Sequence, residues 1–160
     1  MKKLFLIVFV ALSTGVFAQT TEKEDLDVIQ GIYGKSKKEL AVAYMAIPEA
    51  QGVAFWAIYD QFEAERKALG QAKVAIINDY AANYANLTDE SADKIAKASL
   101  KNNLDYQKLF AKYYDKYKKA VGSIKAAKII QFENYMQTTV QSEIQDAIPF
   151  IGEIEATIAK

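Results

Sequence analysis

The chain has 160 residues, equal numbers of basic and acidic side chains, 51% hydrophobic residues, and neither cysteine nor histidine. It therefore forms no disulfide, and it lacks the commonest ligands of zinc, copper and nickel as well as the commonest acid-base catalyst. The balanced charge gives no reason to expect nucleic-acid binding. We therefore expect a protein that holds no cofactor or metal ion and is not an enzyme.

The first residues are typical of a secretory signal peptide. Two lysines precede an apolar stretch over residues 4–12, and small or short residues stand at the −3 and −1 positions of a cleavage site after Ala18. The stretch is shorter than the roughly 20 apolar residues that span a membrane, and an uncleaved N-terminal anchor is the alternative interpretation. We expect residues 1–18 to be removed on export and residues 19–160 to form one all-helical domain.

Apolar residues at helical spacing predict a first helix from Lys23 to Ala46. Gly31 and Gly34 weaken the middle of this helix. Pro48 favours the first turn of a second helix, where Glu49 would lie at the positive end of the helix dipole. The periodic residues of the first helix are Leu26, Ile29, Tyr33, Leu40, Tyr44 and Ile47.

The second helix carries the clearest apolar repeat in the chain and is predicted to run from Pro48 to about Ala85. Its seam follows alternating steps of four and three residues. The seam comprises Phe55, Tyr59, Phe62, Arg66, Leu69, Lys73, Ile76, Tyr80, Tyr84 and Leu87. At 1.5 Å per residue this helix is roughly 55 Å long, which exceeds the width of a compact domain of this size. We therefore expect an elongated molecule.

Two further helices follow. Thr88 is placed to cap the third helix through its hydroxyl, and Gly122 is placed to end it in the left-handed conformation. Ser123 is expected to cap the fourth helix, which runs to about Ile148 before Pro149. The apolar side of the third helix is predicted to include Ile95, Leu100, Leu104, Leu109, Tyr113, Tyr114 and Tyr117. The sequence thus predicts an all-α protein with about four long amphipathic helices in an elongated helical-hairpin bundle.

Three helix starts share a pattern in which an aliphatic residue precedes the helix and a large apolar residue stands eight positions later. In the first two starts the pattern approaches a repeated aliphatic-Thr-x-x-Gln motif, with Pro48 in place of the first threonine and Ser91 in place of the second glutamine. The matching positions are Ile47, Gln51, Leu87 and Thr88. Together with the signal peptide and the tyrosine- and lysine-rich residues 112–119, this motif resembles the Spy and CpxP family of periplasmic proteins.

The resemblance implies an ATP-independent periplasmic chaperone or envelope-stress protein without a cofactor. In that family, long helical hairpins pair into a thin, cradle-shaped homodimer whose concave face holds unfolded client proteins. A branch linked to heavy-metal resistance fits poorly, since this chain lacks soft and borderline ligands. The alternative is a regulatory adaptor that binds one folded envelope partner, such as a membrane sensor kinase. A membrane surface is a poorer partner, because the third helix carries scattered lysines and tyrosines rather than leucine and phenylalanine.

Ten lysines lie between Lys94 and Lys128, against only Asp105 and Asp115. The aromatic residues among them, and a second aromatic cluster near Trp56, predict a basic, aromatic surface for unfolded or partner proteins. The predicted surface comprises Trp56, Tyr59, Lys108, Lys112, Tyr113, Lys116 and Tyr117. In the alternative interpretation, the aromatic side chains pack in the core and the lysines form a solvated face.

The second helix also carries residues whose positions predict how the interior of the bundle is built. Phe55 and Trp56 point about 100° apart, so we expect one in the core and Trp56 on the surface. Arg66 falls on the seam, where a buried guanidinium needs a carboxylate, and Glu133 on the fourth helix is the predicted partner. We interpret this pair as structural, with a functional site as the alternative. Catalysis by two carboxylates would need a deep cleft that thin hairpins rarely form.

Overall fold

The computed structural model describes Ile29 and residues 31–148, and every regular element in this part of the chain is a helix. The elements are α1 (Lys37–Met45), α2 (Glu49–Asn83), a 3₁₀ turn (Tyr84–Asn86), α3 (Asp89–Val121) and α4 (Ser123–Ala147). The predicted all-α fold class is confirmed. The predicted signal peptide and Pro149 lie outside the described residues. Within the described residues, no helix has the length and apolarity needed to cross a membrane.

The predicted first helix, Lys23 to Ala46, is wrong as a continuous element, because the chain breaks at Gly34, where φ is +66°. Helix α1 restarts after Ser36, whose hydroxyl accepts a hydrogen bond from the Glu39 backbone N–H at 3.3 Å. The Glu39 carboxylate in turn accepts one from the Ser36 N–H at 2.8 Å. This reciprocal capping box satisfies two otherwise unpaired amides and makes residue 37 a helix start.

Helix α2 confirms the predicted long second helix. Pro48 precedes its first turn as the N-cap residue, rather than lying in that turn, and the helix contains 35 residues. At 1.5 Å per residue it is about 52 Å long, in agreement with the elongated shape expected from the seam. The buried residues of α2 all lie in its first half: Phe55, Tyr59 and Phe62.

The turn between α2 and α3 is closed by the predicted Thr88 cap. The Thr88 hydroxyl accepts from the Ser91 N–H at 3.2 Å, and the Ser91 hydroxyl accepts from the Thr88 N–H at 3.0 Å. Serine thus takes the position that glutamate or glutamine usually holds in a capping box. The two long helices are thereby connected as an antiparallel hairpin.

The turn between α3 and α4 consists of Gly122 alone. Its φ of 82° and ψ of 165° fall in a region that is essentially restricted to glycine, so glycine is required there, although not in the predicted left-handed helical conformation. The predicted serine cap is wrong. Ser123 is the first residue of α4, and no side chain caps that helix.

The bundle has two regions, a body and an arm, which differ in the number of helices that pack together. In the body, α1, the first half of α2, the second half of α3 and α4 surround one apolar core. Its members include Met45, Phe55, Tyr59, Phe62, Leu109, Phe110, Tyr113, Tyr117, Ile129, Phe132 and Met136. In the arm, residues 75–99, the described part of the chain contributes only the ends of α2 and α3 and the turn between them. The arm lies beyond the hydrogen bond of 3.0 Å that the Asn102 side chain donates to the Leu69 carbonyl. No residue of the arm is buried.

Candidate functional site

The aromatic residues predicted for a client surface lie in the core instead. Tyr59 is 1% exposed, and Tyr113 and Tyr117 are fully buried, so the prediction of surface tyrosines was wrong and the core alternative is correct. Helical spacing aligns them on the faces where α2, α3 and α4 meet. Phe55 is the buried member of its pair, as expected, and Trp56 is half-buried with its ring edge-on to Phe55 at 4.8 Å.

The lysines predicted for the same surface do face outward, and each has a polar neighbour. Lys108 contacts Asp105 at 3.2 Å and Lys112 contacts Glu65 at 2.6 Å. Lys116, which is half-buried, donates to the Gln61 side chain at 3.3 Å. Lys112 and Lys116 therefore line the seam between α3 and α2, above the buried tyrosines, whereas Lys108 pairs within α3.

Glu65 on α2 pairs with two residues of α3 at this seam. Its carboxylate accepts hydrogen bonds from Lys112 and, at 2.8 Å, from the Tyr113 hydroxyl, and these bonds hold the pKa of Glu65 below its ordinary value. Burial, together with the bond to Glu65, raises the pKa of Tyr113 to about 12. Tyr113 therefore remains a neutral donor at physiological pH, and the contact links α2 to α3.

An interior ion cluster joins α1, α2 and α4. The Lys37 ammonium lies 2.6 Å from Glu63 and 2.5 Å from Glu133, and the Arg66 Nε donates to Glu63 at 3.1 Å. The predicted partnership is corrected accordingly, because the ion pair to Glu133 comes from Lys37, while Arg66 contacts Glu63 on its own helix. The capping box of Ser36 and Glu39 marks residue 37 as a helix start, but no local signal in the sequence indicates that Lys37 meets Glu133.

The pKa values of the two carboxyl groups in the ion cluster are shifted in opposite directions. Burial raises the pKa of Glu133 against the opposing charge of Lys37, whereas Lys37 and Arg66 outweigh burial at Glu63 and hold its pKa below the ordinary value. The pKa values of Tyr59 and Tyr117 are raised by burial and by the nearby Glu133. Of the two carboxyl groups, Glu133 is therefore the one that burial shifts toward its protonated form.

A cavity of about 40 Å³ lies beside Glu133, where the body gives way to the arm. Its polar lining consists of Lys37, Arg66, Lys73, Glu133, Gln137 and Gln141. Its apolar lining includes Ile29, Val74, Phe110, Met136, Val140 and Ile144. No pattern in the sequence marks this cavity, because its walls come from all four helices and from Ile29 before α1.

Exposed leucines mark a second feature, on α3. Leu100 is 69% exposed and Leu104 is 55% exposed, although the sequence placed both on or near the apolar side of the helix. The buried side of α3 runs instead through Asn102, Tyr106, Leu109 and Tyr113. Lys97 and Lys108 continue the leucine row at helical spacing, and we call these four residues the solvent stripe.

The motif positions of the helix starts lie at opposite ends of α2. Ile47 and Leu87 are half-buried next to the helix ends. The Gln51 side chain accepts a hydrogen bond from Lys125 at 2.8 Å, and Thr88 caps α3. In the described structure these residues therefore connect helices rather than form one site.

Among residues 29 and 31–148, no group of three or more acidic, histidine or cysteine side chains is arranged to hold a metal ion. Comparison of the chain with protein-family models, with curated proteins and with solved structures gave no match. The function is therefore inferred from the geometry of the chain itself.

Proposed function

We propose that this chain is an exported, periplasmic, ATP-independent chaperone of the Spy and CpxP type, which holds apolar segments of unfolded envelope proteins on the solvent stripe of α3. The observation that carries the proposal is the exposure of Leu100 and Leu104, at 69% and 55%, on successive turns of one helix face. Exposed leucines that are contiguous and flanked by charge are typical of interaction surfaces.

The solvent stripe favours weak and reversible binding. Covering a leucine side chain contributes about 1.5–3 kcal/mol when it was fully exposed, so two partly exposed leucines supply a modest affinity. Lys97 and Lys108 contact Asp93 and Asp105, respectively, in surface ion pairs. Such pairs are weak, so these lysines are able to exchange partners with acidic residues of a client.

The arm supports the family resemblance and the homodimer that it implies. Ile76, Ile77, Tyr80 and Ile95 all lie in the arm and are only half-buried. A second copy packed on the arm would give these residues a further layer, as in a four-helix arrangement. Sedimentation equilibrium of the mature chain tests this part of the proposal, with twice the monomer mass expected and the monomer mass at high concentration contradicting it.

The chaperone proposal is tested by light scattering of several unrelated, chemically denatured proteins diluted into buffer without ATP. The mature chain is expected to suppress aggregation near equimolar ratio. The double variant Leu100→Lys/Leu104→Lys should require about tenfold more protein, since losing about 1.4 kcal/mol of binding is a tenfold change. Circular dichroism checks that helicity is retained.

The matched control places the same charges on an adjacent face of the same helix. Asn103 and Gln107 are exposed and have the same spacing as the two leucines. Asn103→Lys/Gln107→Lys should therefore suppress aggregation as well as the unmodified chain. Equal loss in both double variants would make the effect one of charge rather than of the leucines, and would contradict the proposal.

The same experiment separates the chaperone from the regulatory adaptor. No suppression of any client in large molar excess would exclude the holding function. Capture of one folded envelope protein by the intact chain would then identify an adaptor.

The proposed export has its own test, which is mass spectrometry of the chain recovered from the periplasm. The expected product begins at Gln19, and recovery of an intact N-terminus in the membrane fraction would favour the uncleaved anchor instead.

A further inference from the structure

The bundle is electrically polarised along its length. Six lysines lie between residues 112 and 128, at the end of the body where α3 passes into α4, against Asp115 alone. The arm, residues 75–99, carries four acidic residues and two lysines. The whole chain has no formal net charge, so its basic and acidic residues are separated between the two ends of an elongated molecule.

Most of the lysines at this end of the body are not neutralised by carboxylates. Lys125 donates to the Gln51 side chain at 2.8 Å and Lys128 to the Tyr44 carbonyl at 2.5 Å, and both acceptors are uncharged. On α3, the lysines nearer the arm all pair with carboxylates: Lys94, Lys97, Lys101, Lys108 and Lys112. Five lysines that form no ion pair within the described part of the chain make up what we call the basic end: Lys116, Lys118, Lys119, Lys125 and Lys128.

Helix dipoles account for only part of the basic end. Lys118 and Lys119 lie in the last turn of α3, where the negative end of the dipole favours cations. Lys125, by contrast, lies in the first turn of α4, where the positive end of the dipole disfavours a cation, and that turn contains no acidic residue. A local conflict of this kind is typical of a functional position, and an external anionic partner would offset it.

Two aliphatic side chains are exposed at the same end of the body. Val53, near the start of α2, and Ile124, in the first turn of α4, are each 87% exposed, the highest value among the large apolar side chains of the described residues. The hydrogen bond between Gln51 and Lys125 connects the two helix starts that carry them. This end therefore combines uncompensated positive charge with exposed aliphatic surface.

The structure alters the argument against a membrane surface as a partner. That argument came from the tyrosines of the third helix, but Tyr113 and Tyr117 are fully buried. The side chains that the end exposes are aliphatic instead, and Lys128 follows Ile124 one helical turn later, on the same face of α4. Aliphatic residues that enter the acyl boundary, beside lysines that reach the phosphates, are typical of surfaces that bind anionic bilayers.

We propose that the basic end, together with Val53 and Ile124, docks the bundle end-on to an anionic phospholipid surface. The lysines contact lipid phosphates, and the two aliphatic side chains enter the acyl boundary. The acidic residues at the tip of the arm then lie about 50 Å from the lipid, which is several Debye lengths at physiological salt, so they do not oppose docking. This surface is distinct from the solvent stripe and does not depend on the proposed chaperone activity.

The test is co-sedimentation of the full mature chain with lipid vesicles. Vesicles of phosphatidylcholine and phosphatidylglycerol in equal parts should bind the chain, with an affinity that falls steeply from low to high salt. Vesicles of phosphatidylcholine alone should not bind it. Equal binding to both kinds of vesicle, or no binding to the anionic vesicles, would overturn the proposal.

Paired lysine variants locate the surface. Lys118→Gln/Lys119→Gln should weaken binding to anionic vesicles by about thirtyfold, since each lysine near such a surface contributes about 1 kcal/mol. Lys94→Gln/Lys101→Gln removes the same charge from exposed lysines of the same helix that pair with carboxylates, and should leave binding unchanged. Equal losses in the two double variants would make the effect one of net charge, and would contradict docking through the basic end.

A second pair of variants distinguishes a bilayer from a soluble polyanion. Ile124→Gln should weaken vesicle binding by about tenfold, because an aliphatic side chain no longer enters the acyl boundary. Leu104→Gln, at an exposed aliphatic position of α3 away from this end, should have no effect. Both positions are exposed, and circular dichroism checks that helicity is retained. Unchanged binding in Ile124→Gln would show that charge alone is recognised and would overturn the assignment to lipid.

Discussion

The body and the arm are built from the same two long helices, yet only the body has a core. In the body, α1 and α4 cover the aromatic faces of α2 and α3, and Phe55, Phe62 and Tyr113 become fully buried. In the arm, residues 75–99, no other described part of the chain covers the hairpin and no side chain is buried. The comparison shows that an amphipathic hairpin alone does not make an interior, because a two-helix layer leaves one side of every apolar stripe open.

The difference predicts unequal stability along the same helices. Regions with few buried contacts open at a lower free energy than the regions that define global unfolding. The arm should therefore open locally while the body stays folded. The body, by contrast, keeps the ion cluster and the cavity beside Glu133 in a fixed geometry.

The largest difference in stability between the two regions is expected when a core aromatic side chain is removed. Phe62 is fully buried, so Phe62→Ala should lower the free energy of unfolding by about 4 kcal/mol. Ile76→Ala, at a half-buried position of the arm, should lower it by about 1 kcal/mol, since little of its surface is taken from water. Urea denaturation measures both. Equal losses would show that the arm is covered in solution, as a dimer requires.

The next effect comes from the ion cluster. Lys37→Met leaves Glu133 buried without its cation and should cost about 3 kcal/mol at neutral pH. Glu63, whose pKa Lys37 and Arg66 hold low, contributes stability above the ordinary carboxyl pKa and loses it as pH falls. The raised pKa of Glu133 has the opposite sign, with its contribution lost as pH rises. The deficit of the variant should therefore shrink in acid, where both carboxyls are protonated.

The control for that variant removes both charges of the pair. Lys37→Met/Glu133→Leu should recover much of the loss, because an apolar pair replaces a buried ion pair at little net cost. Thermal or urea unfolding across acidic and neutral pH measures the difference. A deficit in Lys37→Met that is independent of pH would show that packing of the lysine stem, rather than its charge, stabilises the body.

A smaller effect compares the two capping boxes. Ser36→Ala in the body and Thr88→Ala at the tip of the arm should each weaken a helix start by about 1 kcal/mol. The body variant should lower the global free energy of unfolding, while the arm variant should appear only as faster amide hydrogen exchange in residues near the turn. A global loss in Thr88→Ala would mean that arm and body unfold as one unit.

The smallest effect concerns surface ion pairs that bridge α2 and α3. Lys112 contacts Glu65 in the body at 2.6 Å, and Lys94 contacts Asp79 in the arm at 2.8 Å. Both lysines are exposed, so Lys112→Ala and Lys94→Ala should change stability less than either cap variant, and about equally. Denaturation at low and high salt checks this. A much larger loss of stability in Lys94→Ala would mean that the arm depends on its ion pair more than the body does, which would contradict the prediction.

Local signals in the sequence determined most of the helix boundaries. The proline before α2, the Thr88 cap before α3 and the glycine before α4 each act within a few residues, through a fixed φ, a side-chain hydrogen bond or a positive φ. The break at Gly34 was missed because apolar spacing continues across it. The capping box of Ser36 and Glu39, which is also local, was the signal that could have located it.

The three-dimensional packing alone decided which stripes are covered. The helical spacing of apolar residues predicts that a helix has a face for burial. Several rows of residues on α3 have that spacing, however, and the positions of α1 and α4 decide which row is buried. Tyr113 was therefore placed on a surface and Leu104 near the core, the reverse of what packing selects. Lys37 meets Glu133 for the same reason, because helices distant in sequence bring them together and burial then requires their pairing.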